Sequence, residues 1–198
     1  MDLEIKDLIN SSIKSLTPYE PGKPIEDLER EYGIKNAVKL ASNESPLGPS
    51  PKVLTALEEV ISGIHRYPDG NGFRLKEALS SKHSVDMSVL TLGNGSNDII
   101  EFVARCFLSP KDNAIYSKYA FAVYPLIVQA LGAEGIEVEA KDWGHDLQAM
   151  LEAINKDTKI VFIANPNNPT GTILTVHLNN QHFRTNSAMH SLASTFFY

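Results

Sequence analysis

The sequence predicts an α/β fold: a mostly parallel sheet with helices on both faces, preceded by an N-terminal helical arm. Three observations carry that expectation. Short apolar runs begin near Val89, Ala114, Gly135 and Lys159, and segments of helix length separate them; alternation of this kind builds parallel sheets. The run Ile160-Val161-Phe162-Ile163-Ala164 is apolar on both faces, as a strand covered from both sides must be. Upstream, prolines and glycines cut the chain into short helices rather than strands.

Each element has its own local reason. Leu3, Ile5, Leu8, Ile9, Ile13 and Leu16 approximate helical spacing and stop at Thr17-Pro18. A proline-rich arm follows, with Pro18, Pro21 and Pro24, and then a helix from Ile25 to Tyr32 ended by Gly33. Ala37 to Ala41 reads as extended, and Ser42 to Pro49 as turn chemistry throughout. Ser50 before Pro51 is a cap followed by a first-turn proline, which opens a helix to about Gly63. Later helices are expected at Asn97–Leu108, Phe121–Leu131 and Asp146–Ile154. Cys106 shares a helical stripe with Ile99, Phe102, Val103 and Phe107, so it is expected in the core.

Composition narrows the function classes. With 42% hydrophobic and 21% charged residues among 198, the chain is globular rather than disordered. A formal charge of −6 offers no footprint for nucleic acid or an anionic membrane surface. The longest apolar stretch, Tyr119 to Ala133, is interrupted by Pro125 and Gln129 and is too short to span a bilayer. A single cysteine and an acidic start at Met1-Asp2-Leu3-Glu4 favour a cytoplasmic location.

In open parallel sheets ligands sit beyond the carboxyl ends of the strands, so chemistry is sought in the loops there. Gly93-Asn94-Gly95-Ser96-Asn97 opens a helix; its glycines permit close approach and its first amides suit a phosphate, or simply form a capped turn. It is neither a dinucleotide fingerprint nor a P-loop, since Asp98 holds the third glycine position and no Gly-Lys-Ser/Thr follows. Asn165-Pro166-Asn167-Asn168-Pro169-Thr170-Gly171 is an irregular turn with amides fixed in direction. Within Tyr119-Ala120-Phe121-Ala122-Val123-Tyr124, an aromatic ring stacks on a planar ligand or enters the core. Asp69-Gly70-Asn71-Gly72 fails as a calcium loop because Phe73 and Ser80 occupy ligand positions. The six histidines lack zinc-ligand spacing, so no metal is expected.

Taken in order, these pieces resemble a family. Asn43-Glu44-x-Pro46-x-Gly48-Pro49, Arg66-Tyr67-Pro68, Gly95-Ser96-Asn97-Asp98, Tyr119-Ala120-Phe121 and the Asn165–Gly171 turn are similar to the fold-type I pyridoxal-phosphate aminotransferases. Among these, they most resemble the histidinol-phosphate aminotransferases. The resemblance implies the cofactor pyridoxal 5′-phosphate, its phosphate held by backbone amides of Gly95, Ser96 and Asn97. It implies that Phe121 stacks on the pyridine ring and that Asn168 bonds its 3′-oxygen. It places Tyr19, Asn43 and Tyr67 against the substrate, with Tyr67 reaching the neighbouring subunit of a homodimer. The implied reaction is amino transfer between histidinol phosphate and 2-oxoglutarate, giving imidazole-acetol phosphate and glutamate in histidine biosynthesis. Related families act on aromatic amino acids or decarboxylate threonine phosphate, and a non-catalytic remnant that still binds phosphate or cofactor is a further alternative. The implied domains are an arm with part of the small domain at 1–50, the N-terminal part of the cofactor-binding large domain at 51–172, and a non-family tail at 173–198.

The resemblance also implies residues that this sequence does not supply. The family's chemistry needs a Schiff-base lysine well past the asparagine-rich turn. Here the last lysine is Lys159 and the last acid Asp157, and only Arg184 carries a formal charge from Ile173 onward. No catalytic residue is therefore assigned. The expectation is an incomplete large domain whose sequence leaves the family near Ile173–Val176, with a frame-shifted tail.

Overall fold

The computed structural model describes residues 5–174; the expected non-family tail lies outside them apart from Ile173 and Leu174. The described residues form two compact units. One joins the N-terminal segment up to Tyr19 with the chain from Gly93 onward, and Glu20–Leu92 forms the other.

The expected N-terminal helix is two short pieces, a 3-10 turn at Ile5–Leu8 and helix α1 at Ser11–Lys14. Asn10 divides them. Its side chain accepts from the Ser12 amide at 3.2 Å, so the local asparagine bond wins over helix continuation. Within the same unit, Ser12 Oγ donates to the Ala130 carbonyl at 3.1 Å and fastens the arm.

The second unit holds α2 (Ile25–Tyr32), α3 (Pro51–Val60) and α4 (Phe73–His83). Helix α2 has the expected limits, with Gly33 in the left-handed conformation at φ 65°. Helix α3 continues as a 3-10 turn over Ile61–Gly63. Helix α4 was not expected, and residues 37–41 form no strand. The apolar run at Val89 is a 3-10 turn at Met87–Val89, not the first strand of the sheet. Asp86 causes this: its carboxylate accepts from the Ser88 amide at 2.8 Å and closes the turn.

The chain then alternates as expected. Helix α5 (Ser96–Phe107) leads to β1 (Asn113–Ser117), α6 (Val123–Ala130), β2 (Glu134–Val138), α7 (Leu147–Glu152) and β3 (Thr158–Val161). The strands are parallel in the order β2-β1-β3, with Ile115 opposite Ile136 and Val161. All five residues of β1 are buried because helices cover both faces. Ala114 and Tyr116 face a cluster with Ile100, Ala104, Tyr124 and Val128 from α5 and α6. Ile115 faces the other side, with Val138, Leu147, Met150 and Val161. This two-residue alternation is the pleat of a strand shared between two cores.

Cys106 is exposed, contrary to expectation. Helix α5 carries apolar side chains around much of its circumference, and packing selects Ile100 and Ala104 as its buried positions. Of the stripe that includes Cys106, Val103 packs partly buried against the core, while Cys106 turns outward with the exposed Phe102 and Phe107. None of the described helices is long and apolar enough to cross a membrane.

Candidate functional site

Parallel pairing puts the loops after β1, β2 and β3 at one end of the sheet. The short link between α5 and β1 reverses the chain, so the N-terminus of α5 lies toward that same end. Four segments therefore gather there in the first unit: Gly93–Asn97, Tyr119–Phe121, the loop 139–146, and the turn 165–171.

The glycine loop is shaped by its backbone. Gly95 sits at φ 78°, ψ −177°, a conformation essentially reserved for glycine. Its own amide donates to the Gly93 carbonyl at 2.9 Å, so it is engaged within the loop. A Cβ on Gly93 would lie 2.7 Å from Asp98 Cβ, which excludes a side chain there. Asp98 turns back to accept from the Asn94 amide at 2.7 Å and closes the loop. Helix α5 begins at Ser96, and first-turn amides point outward along a helix axis.

The three asparagines of the 165–171 turn do different work. Asn165 clamps Leu174, donating to its carbonyl at 3.0 Å and accepting from its amide at 2.9 Å. Buried Asn167 donates to the Tyr119 carbonyl at 3.0 Å and to Thr170 Oγ1 at 2.7 Å. Its backbone carbonyl accepts from Gly171, which adopts φ 72°. Asn168 is half-buried, and among the described residues its amide makes no hydrogen bond. The turn thus builds itself from its first and second asparagines, while the third takes no part in that bonding among the described residues.

Two further polar atoms at this sheet end, Ser117 Oγ and Asn167 Oδ1, are buried without partners among the described residues. Such atoms cost about 1–3 kcal/mol each when left unmade, so a polar ligand is compatible with the donor set present. The aromatic positions divide as well. Phe121 is half-buried against the α5/α6 core and meets Tyr124 edge-on at 6.1 Å. Tyr119 is exposed, and its ring pairs with Trp143 at 4.9 Å with a 36° tilt.

Sequence reasoning passed over the loop after β2. Lys141 and Gly144 pair across a tight turn in which Asp142 and Trp143 both have positive φ, at 50° and 63°. That geometry is a type I′ turn, and tryptophan is a costly residue to place in it. His145 follows, only 7% exposed, with Nε2 2.9 Å from the Ala164 carbonyl. A carbonyl only accepts, so Nε2 carries the hydrogen and a neutral ring has Nδ1 bare. Burial lowers its pKa below 6.5, outweighing the Ala164 bond that would raise it. The unfolded chain therefore binds the extra proton first, and stability falls as pH drops below about 6.5. Thermal melts at about pH 7.5 and about pH 5.5 should show a larger acid loss for the wild type than for His145→Gln. The only sequence signal was a histidine just before the capping Asp146.

Of the other expected site residues, Tyr19 ends the first unit's N-terminal segment with its ring exposed. Asn43 and Tyr67 belong to the second unit. Asn43 lies in a turn at φ 54°, and the Tyr67 side chain is fully exposed. No cluster of metal-ligating side chains occurs among the described residues.

Comparison with known proteins identifies what the chain is similar to. The family described as aminotransferase class I and II matches residues 35–178. Histidinol-phosphate aminotransferase 1 of Nitrosococcus oceani is 58% identical over 167 residues, covering 84% of this chain and 45% of the relative. Histidinol-phosphate aminotransferase 2 of Pseudomonas aeruginosa is 57% identical, covering 83% and 45%. The crystal structure of the Sinorhizobium meliloti histidinol-phosphate aminotransferase in complex with pyridoxal-5′-phosphate superposes with a TM-score of 0.76. It is 26% identical and covers 86% of this chain and 46% of that one. The chain spans about half the length of the curated relatives it matches.

Proposed function

We propose, for a chain that belongs to the aminotransferase class I and II family, that the sheet end described above holds pyridoxal 5′-phosphate for amino transfer. The observation that carries the reading is the division of labour in the asparagine turn, which leaves the Asn168 amide available at the sheet end. Asn168 orients the cofactor ring through its 3′-oxygen, and the Gly95–Asn97 loop receives the phosphate at the start of α5. Phe121 covers the ring face. When bound, pyridoxal phosphate supplies an electron sink for chemistry at an amino-bearing carbon.

The substrate pair proposed for the whole enzyme is histidinol phosphate with 2-oxoglutarate, supported by the names of relatives at more than half identity. Tyr19, Asn43 and Tyr67 contact substrate in that reading, and the enzyme works as a cytoplasmic homodimer. Residues 1–50 are then arm and small-domain sequence, and 51–172 the first part of the large domain. No lysine follows Lys159. The 198 residues by themselves are therefore expected to hold cofactor reversibly and to leave amino transfer undone.

Paired variants test the asparagine assignment. Asn168→Ala should weaken pyridoxal phosphate binding about five- to tenfold while leaving the melting temperature unchanged. Asn167→Ala should lower the melting temperature, because it removes buried bonds to Tyr119 and Thr170. Unchanged cofactor affinity in Asn168→Ala would remove the assignment.

A further inference from the structure

The loop after β2 meets the chain on either side of the asparagine turn, at Ala164 and at Thr172. His145 Nε2–H donates to the carbonyl of Ala164, the residue immediately before Asn165. Gly144 lies so close to the far end of the turn that a Cβ there would sit 3.0 Å from Thr172 Oγ1 and 3.3 Å from Thr172 Cβ. The same loop lays Trp143 on Tyr119, whose carbonyl is in turn held by Asn167. Asp146 then anchors the loop by capping α7 through the Ala149 amide at 3.0 Å. A loop held this firmly, with two non-glycine residues at positive φ, stores conformational cost that its contacts must sustain.

We infer that His145 is a positioning residue for the Asn165–Gly171 turn: with Gly144 closing on Thr172, it fixes where the turn starts and ends, and so where the Asn168 amide points. The inference rests on the cofactor reading above. Asn168 has no hydrogen bond among the described residues to hold it, so its direction depends on the backbone beneath it. His145 and Gly144 brace that backbone from outside the turn, while Asn165 and Asn167 brace it from within.

The test uses the full chain and two probes, pyridoxal phosphate and inorganic phosphate, read by fluorescence of Trp143, the single tryptophan. Inorganic phosphate reports on the glycine loop, and pyridoxal phosphate on the loop and the asparagine turn together. His145→Leu keeps side-chain volume but has no donor for Ala164. It should weaken pyridoxal phosphate about tenfold and leave inorganic phosphate within about twofold of wild type. His145→Gln retains an N–H for Ala164 and should recover most of the lost affinity. Equal cofactor affinity in wild type and His145→Leu would overturn the inference, as would a parallel loss for both probes. Should the leucine variant fail to fold, Gly144→Ala carries the comparison. It is expected to weaken the cofactor selectively, and wild-type affinity in that variant would overturn the inference too. A wild-type chain that binds phosphate but no pyridoxal phosphate would instead remove the cofactor reading itself.

Discussion

Replacing Ile115 with alanine is expected to destabilise the first unit by about 2–5 kcal/mol, enough to unfold a marginal domain. Ile115 is 0% exposed at the centre of the middle strand. Its side chain fills the core beneath α7, against Val138, Leu147, Met150 and Val161. Truncation leaves a cavity bounded by two strands and a helix, a setting in which collapse around the void is limited. A denaturant titration measures the loss. Ile136→Ala is the control: Ile136 is only partly buried, on edge strand β2, and its truncation should cost less. Equal losses at the two positions would contradict the assignment of Ile115 to the core centre.

Replacing Gly95 with alanine is expected to cost about 1–3 kcal/mol in backbone strain and to weaken phosphate-bearing ligands at least about tenfold. Its φ of 78° with ψ near 180° is open to glycine and nearly closed to an L side chain. The cause is the backbone alone, because a Cβ at Gly95 would meet nothing within 4 Å. Gly93→Ala offers the contrast, since a Cβ there runs into Asp98 and Ile99. Gly95→Ala should relax the loop and turn the first amides of α5 away from the ligand. Inorganic phosphate affinity measures this, and a wild-type value would contradict the proposed phosphate site.

Much of this arrangement was legible in the residues. The period of strand and helix segments from Ala114 onward appears in the structure as β1, β2 and β3 with the intervening helices. Strand β1 is a short apolar run bounded by turns, and a buried strand leaves that trace. Gly33 ended α2 where a left-handed cap was needed. Other features were hidden for identifiable reasons. Helix α4 starts at a left-handed Gly72 without a capping side chain, so no cap residue announced it. Asp69 does that work from three residues before, accepting from the Asn71 and Phe73 amides. The run at Val89 had strand composition, but Asp86 drew it into a turn through a bond that composition does not encode. Cys106 was misplaced because α5 is apolar on several faces, and only packing decides which face turns inward.

The asparagine turn and the glycine loop were legible as motifs, yet their inner economy was not. Nothing in Asn165-Pro166-Asn167-Asn168 distinguishes the asparagine that builds from the one left over. That follows from where the carbonyls of Tyr119 and Leu174 lie. The contribution of His145 was equally hidden, since its partner is a main-chain carbonyl 19 residues away in sequence.

The most direct test is a titration of the wild-type chain with pyridoxal phosphate, followed by Trp143 fluorescence and then by dialysis. The account predicts saturable single-site quenching that inorganic phosphate competes away and that dialysis fully reverses. Quenching that never saturates, or that inorganic phosphate leaves untouched, would contradict it.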